Sequence, residues 1–371
     1  MNKKVLTMAV MAAVCGMAAA PVWAANSGGT VNGDGKFVGD NGAADNRLLI
    51  DEDSRQEIIS GLGTGNDKVQ NNSIEVSNGT ISEKIIGGMS EGDGDIDSNS
   101  ITISGGKMRD AVYGAYTEGS GAVTNNKVII GGMAETSRDP VAGALSQGSG
   151  TVAYNSVTAT GGNIYSIFGG GSAEGIAEYN SVTVEGDTII EDSVGGAAAL
   201  EGVARHNSVT ISGTAEIKGK VFGGKIETSS SGDLIDNSVM ISGGSIRGEV
   251  YGAYTEGDGA VTNNSVMISG GKIGDVVFGA YTEGSGIVAY NSVTLTDGLL
   301  NGEVYGGAST KNGIAEYNSV TVSGGTINML ATGGVSMDNV ARYNNVTVTG
   351  GTIKGSIYGG MSEINAIENK V

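Results

Sequence analysis

An asparagine, followed in most copies by Ser-Val or a close variant, returns every 25 to 30 residues through most of this chain. The positions are Asn72, Asn99, Asn126, Asn155, Asn180, Asn207, Asn237, Asn264, Asn291, Asn318, Asn344 and Asn369. A unit of about 27 residues is too short to bury its own apolar side chains, so successive units must stack on one another. A propeller blade needs roughly 40 to 50 residues, which this period does not supply.

The unit that starts at Asn237 reads NSVMISGGSIRGEVYGAYTEGDGAVTN. Side chains alternate faces along a strand, so Val239 and Ile241 point one way and Ser238, Met240 and Ser242 the other. Gly243-Gly244 breaks that strand. A second strand is expected from Ile246 to Tyr254. The polar run Glu256 to Gly259 turns the chain, and a short third strand, Ala260 to Thr262, leads to the next asparagine. Three strands and three turns per unit predict an all-β fold, a right-handed parallel β-helix (β-solenoid) of about 12 rungs. At ~4.8 Å per rung the rod would be roughly 53 Å long. Stacking would align Val182/Val184, Val209/Ile211, Val266/Ile268 and Val320/Val322 into two aliphatic columns. The recurring asparagines would sit at a corner in left-handed conformation, their amides bonding to backbone or to asparagines in adjacent rungs.

The 66 glycines come with only two prolines and with 39% hydrophobic residues, which excludes collagen and ordinary disorder. Residues 1–25 have the form of a secretory signal: Lys3 and Lys4, an apolar stretch from Val5 to Ala20, and small residues around Val22-Trp23-Ala24. Loss of those two lysines, with no acid, takes the net charge from −19 to −21. Such a chain repels polyanions, so neither nucleic acid nor an anionic membrane is an expected partner. Nothing beyond the signal is apolar enough to insert into a bilayer. The one cysteine, Cys15, lies in the signal, so disulfides cannot stabilise the rest. Residues 26–66 lack the repeat and are expected to cap the first rung, with Asp51 to Ile59 (DEDSRQEII) as a short amphipathic helix. Residues 67–371 form the array, which is expected to be cut in mid-repeat after Val371.

Three outward features are candidates for contact with other molecules. Tyr113, Phe168, Phe222, Tyr251, Phe278, Tyr305 and Tyr358 each follow an inward aliphatic residue. They should form a semi-exposed aromatic column, either simple stacking on the wall or a carbohydrate- or protein-contact strip. Glu91, Glu118, Glu174, Glu201, Glu227, Glu256, Glu283 and Glu363, with Gln147, occupy matching turns and should form an acidic ridge. A solvated ridge ranks ahead of loose Ca²⁺ binding, and both rank ahead of a glycoside-cleaving carboxylate pair, which needs asymmetry between rungs. Hydroxyls such as Ser208, Thr210 and Ser212 face outward from the first strand. His206, the only histidine, reads as a surface turn residue rather than a catalytic base. No cofactor or metal motif is expected.

The segments Asn264–Ala280, Asn318–Gly325 and Ser356–Gly360 resemble the β-helical passenger repeats of Gram-negative autotransporters (type V secretion), over roughly residues 70 to 371. That resemblance implies a surface-held or secreted, adhesin-like role, and a C-terminal membrane barrel that this sequence lacks. The expectation is therefore a non-catalytic, exported structural or adhesive segment at the cell surface, outer-membrane-associated or secreted. Its partner would be a host-surface or sister-cell protein or carbohydrate. The alternatives are a β-helical polysaccharide-degrading enzyme, or an inert spacer for a missing C-terminal domain.

Overall fold

The computed structural model describes residues 29–31, 36–39, 42–227 and 230–371. The segment read as an export signal, residues 1–25, lies outside them. Among the described residues there is no helix, and the chain is a β-solenoid of about 12 rungs.

One rung shows how the sequence makes the turn. From Asn237 the chain runs through Ser238–Ile241 and Ser245–Ile246, then Val250–Thr255, then Val261–Thr262. The first two belong to one sheet (the NSV face), the third to a second (the VYG face) and the last to a third (the AVT face). The strand expected from Ile246 to Tyr254 is thus split, because the chain bends at Gly248 and moves to the next face. Neighbouring rungs pair in parallel and without slippage on the NSV strand, with Ser238, Val239, Met240 and Ile241 opposite Ser265, Val266, Met267 and Ile268. Among the described residues the only antiparallel pair is at the start, between Gly29–Val31 and Phe37–Gly39. The latter strand lies parallel on Ile58–Gly63 and covers the first edge of the VYG face.

Alternation puts Val239, Ile241, Ile246 and Val250 inside, where stacked copies form one apolar cluster from Phe37 to Val346. Each fully buried Val or Ile contributes about 1.5–3 kcal/mol relative to exposure. A smaller interior cluster joins the VYG and AVT faces through Ala253, Leu234 and Val261.

The recurring asparagines stand directly above one another. The Asn237 backbone N–H and its Nδ2 donate to Asn264 Oδ1 at 2.9 and 3.0 Å. Asn264 repeats this toward Asn291 at 2.8 and 3.0 Å. The second Nδ2 hydrogen of Asn237 goes to the Ala204 carbonyl at 2.9 Å. In the inner rungs both lone pairs of Oδ1 and both protons of Nδ2 are therefore used inside the rod, which removes the cost of burying an amide. The left-handed geometry expected at these asparagines belongs instead to the residue before each. Asp236 has φ 56° and Asn263 φ 58°, and the same holds in every rung. The physical reason is directional: the left-handed residue swings the chain so that the following side chain enters the core.

Within residues 26–66, expected to be a cap, the chain from Asn46 onward joins the array. Asn46 is the first ladder member, donating from its backbone to Asn72 Oδ1 at 3.0 Å. Arg47–Ile50 pairs with Ser73–Val76, and Ile58–Gly63 with the next VYG strand. The helix expected from Asp51 to Ile59 is absent. Ile50 and Ile58 are buried in the core, and an isolated nine-residue helix is too short to compete with strand pairing.

Candidate functional site

The outer surface of the VYG face carries the aromatic residues. In Val250–Thr255, Val250 points in, Tyr251 out, Ala253 in, Tyr254 out and Thr255 in, with Gly252 packed close against the NSV strand. Two outward columns result. In the first, Phe222, Tyr251, Phe278 and Tyr305 stack with centroids 5.3, 5.2 and 5.1 Å apart. The second, three residues further along the strand, includes Tyr254 and Tyr281, stacked at 5.8 Å. Tyr251 and Tyr254 meet edge to face at 5.2 Å. The expected semi-exposed column is therefore only partly so: Tyr113, Phe222 and Tyr251 are buried beneath their neighbours, Phe168, Phe278 and Tyr305 are half-buried, and Tyr358 is exposed. The second column was not among the sequence expectations; its signal is the second tyrosine of VYGAY.

This packing holds the phenols neutral. Burial, with help from Asp110, pushes Tyr113 up to about 12. Burial and then Glu249 raise Tyr251 further, and Tyr305, which donates to Glu303 Oε2 at 2.5 Å, is raised by burial and Glu303. A group raised in the folded state contributes full stability below its unfolded value, about 10, and loses it as pH climbs toward the folded value. Denaturant midpoints should fall between about pH 10 and about pH 12, and Tyr113→Phe should flatten that fall. A Tyr113→Phe curve parallel to wild type would contradict the burial of this ring.

The glutamate ridge is less regular than its spacing suggests. Glu91, Glu118, Glu227, Glu256, Glu283 and Glu363 follow the in-register residues Ser90, Thr117, Ile226, Thr255, Thr282 and Ser362. In two rungs Ala173 and Leu200 hold that place, and Glu174 and Glu201 lie one residue further on. Several ridge carboxylates have partners in the rod itself: Glu118 and Glu283 accept from Tyr116 and Tyr254 at 3.3 and 2.9 Å, and Glu227 pairs with Lys225 at 3.1 Å. Among the described residues no group of three or more His, Cys, Asp and Glu side chains is placed to hold a metal ion.

Between the aromatic patches the VYG face is hollow. Ala142, Gly171 and Ala198 stand where other rungs carry large residues, leaving a groove of about 250 Å³ edged by Tyr113, Leu145, Phe168 and Leu200. Compared with protein-family models, curated proteins and solved structures, the chain has no match. The outward hydroxyls of the NSV face also align, but exposed Met240 and Met267 interrupt them.

The last outward feature lies at the corner before each ladder asparagine. Tyr154, Tyr179 and His206 occupy that left-handed position in three consecutive rungs, with ring centroids 5.0 and 4.7 Å apart. Tyr290, Tyr317 and Tyr343 do the same, at 5.0 Å each. His206 Nδ1 is 3.6 Å from Asp236 Oδ2 and its ring lies flat on Tyr179. Of these six residues, His206 alone stands out in the sequence, as the one histidine. The signal for the rest was an aromatic residue directly before the repeating asparagine, in AYN, EYN and RYN.

Proposed function

We propose that the chain is a non-catalytic, exported segment of the autotransporter-passenger kind, a stiff rod that displays its outer faces at the cell surface and adheres through them. The observation that carries this reading is the uniform register of the rungs. In-register stacking lines the outward side chains up in columns along the rod, such as Phe222, Tyr251, Phe278 and Tyr305, which suits extended contact better than the convergence of unlike groups that catalysis needs. Export is supported by the form of residues 1–25, and the passenger assignment by the resemblance of the repeat. The acidic charge favours a protein or carbohydrate partner over a polyanion.

Protease shaving of intact cells that carry the native gene tests the location. Digestion of the rod without lysis is expected. Adherence and cell–cell settling should fall when the gene is deleted and return with complementation. Protection from protease in intact cells, or unchanged adherence on deletion, would remove this reading. Release of reducing ends from a polysaccharide by the purified chain would replace it with an enzymatic one.

A further inference from the structure

The corner tyrosines occupy a backbone conformation that suits them poorly. A positive φ crowds a bulky side chain against its own carbonyl, and asparagine and aspartate tolerate it best. The rungs with Asp45, Asn71, Asn125, Asp236 and Asn263 at this corner follow that rule. Tyr154, Tyr179, Tyr290, Tyr317 and Tyr343 break it, with φ between 53° and 59°. Their rings do not fill the core in return, since they remain between 38% (Tyr343) and 57% (Tyr154) exposed.

The rings also differ from the tyrosines of the VYG face in their hydroxyls. Tyr254 and Tyr305 donate to Glu283 and Glu303. The five corner hydroxyls have no hydrogen-bond partner among the described residues. They form short rows of free donor–acceptor groups at about the rung spacing. Beside each row lies a charged pair: Arg205 Nε to Glu178 Oε2 at 2.6 Å, and Arg342 Nε to Glu316 Oε2 at 2.7 Å.

The arrangement occurs twice. Asn125, Tyr154, Tyr179, His206 and Asp236 match Asn263, Tyr290, Tyr317, Tyr343 and Glu368, rung for rung. The two platforms are five rungs apart, roughly 24 Å. In each, the first ring has its outer face turned toward the rung of a small asparagine rather than toward another ring.

We propose that these corners are two equivalent binding platforms for one extended, uncharged polysaccharide strand running along the rod. The inference rests on the adhesive reading and names its ligand class. Ring faces and edges offer the apolar contact that the C–H faces of a sugar take, and the free phenols and the Arg–Glu pairs match its hydroxyls. The net negative charge selects against an anionic polymer. Two sites on one rigid edge bind a long strand by avidity, so loss of either platform weakens binding far more than twofold.

The test is retardation of the purified full chain in native gels cast with neutral polysaccharides: a β-glucan, a xylan and a galactomannan. Wild type should be retarded by at least one. Tyr154→Asn with Tyr179→Asn should cut the apparent affinity by about tenfold or more, and adding Tyr290→Asn and Tyr317→Asn should abolish it. Asparagine is native to this corner in other rungs, so the variants should keep the wild-type amide-exchange protection. No retardation of wild type, equal retardation of the variants, or loss of retardation accompanied by faster amide exchange across the substituted rungs (the mark of stacks that only stabilise the rod) would each overturn the proposal. Adherence of intact cells that survives the four substitutions would overturn it while leaving the adhesive reading in place. Binding of the wild-type corner to a protein alone would do the same.

Discussion

Asn237→Ala should open the rod locally at the rung below it. The substitution removes Oδ1, which accepts from the Asn207 backbone N–H at 3.1 Å and from Asn207 Nδ2 at 2.9 Å. Both donors stay buried, because Asn207 has no exposed surface. Each orphaned donor costs about 1–3 kcal/mol, so a loss of roughly 2–6 kcal/mol is expected. Unfolding of repeat arrays need not be two-state, so the informative measurement is amide hydrogen exchange rather than a single melting point. Peptides covering residues 204–241 should exchange at least about tenfold faster, while those beyond residue 318 change little. Uniform protection across 204–241 in the variant would mean that the amide column does not hold the rungs.

An acidic replacement separates shape from hydrogen bonding. Asn237→Asp keeps an oxygen for Asn207 but faces Asn264 Oδ1 and the Ala204 carbonyl with a second oxygen instead of a donor. Those acceptors and the burial disfavour the carboxylate and raise its pKa in the folded state. The protonated form restores one donor. Relative to wild type, this variant should therefore be least destabilised at or below the unfolded value of about 3.9 and most destabilised at neutral pH.

Gly252→Val should prevent the middle of the rod from closing. A Cβ at Gly252 would stand 2.3 Å from the Gly279 carbonyl oxygen and 3.0 Å from the Ser265 backbone nitrogen. Both neighbours are backbone atoms, Ser265 within a strand and Gly279 between two, and cannot turn aside as a side chain can. The VYG strand is held this close to the NSV strand of the next rung, and the same glycine recurs as Gly223, Gly279, Gly306 and Gly333 with the same contacts. Overpacking costs about 1–3 kcal/mol where side chains can yield, and more where only backbone can move. Limited proteolysis should cut the variant near residues 250–280 at protease levels that leave wild type intact. Ala253→Gly, one residue away, removes one methyl from the interior and should be far milder. Equal resistance of Gly252→Val and wild type would show that the faces are not in contact there.

The period of the asparagines was enough to establish stacked rungs, because any side chain that recurs at a fixed interval in a solenoid must form a column. The alternation of Val239 and Ile241 was enough to say which side faces the core. Neither could place Asn46, whose successor residues Arg47-Leu48-Leu49 lack the Ser-Val mark; only strand pairing with Ser73–Val76 brought it into the ladder. Spacing also could not show that Glu174 and Glu201 fall one residue off the ridge, since turn register is decided by which backbone N–H meets which carbonyl in the adjacent rung. Nor could it assign the left-handed corner to the tyrosine rather than to the asparagine after it. Local sequence sets which residues repeat and which face they take. Hydrogen bonds between rungs, made by residues some 27 positions apart, decide where each turn begins and which side chains remain outside without partners.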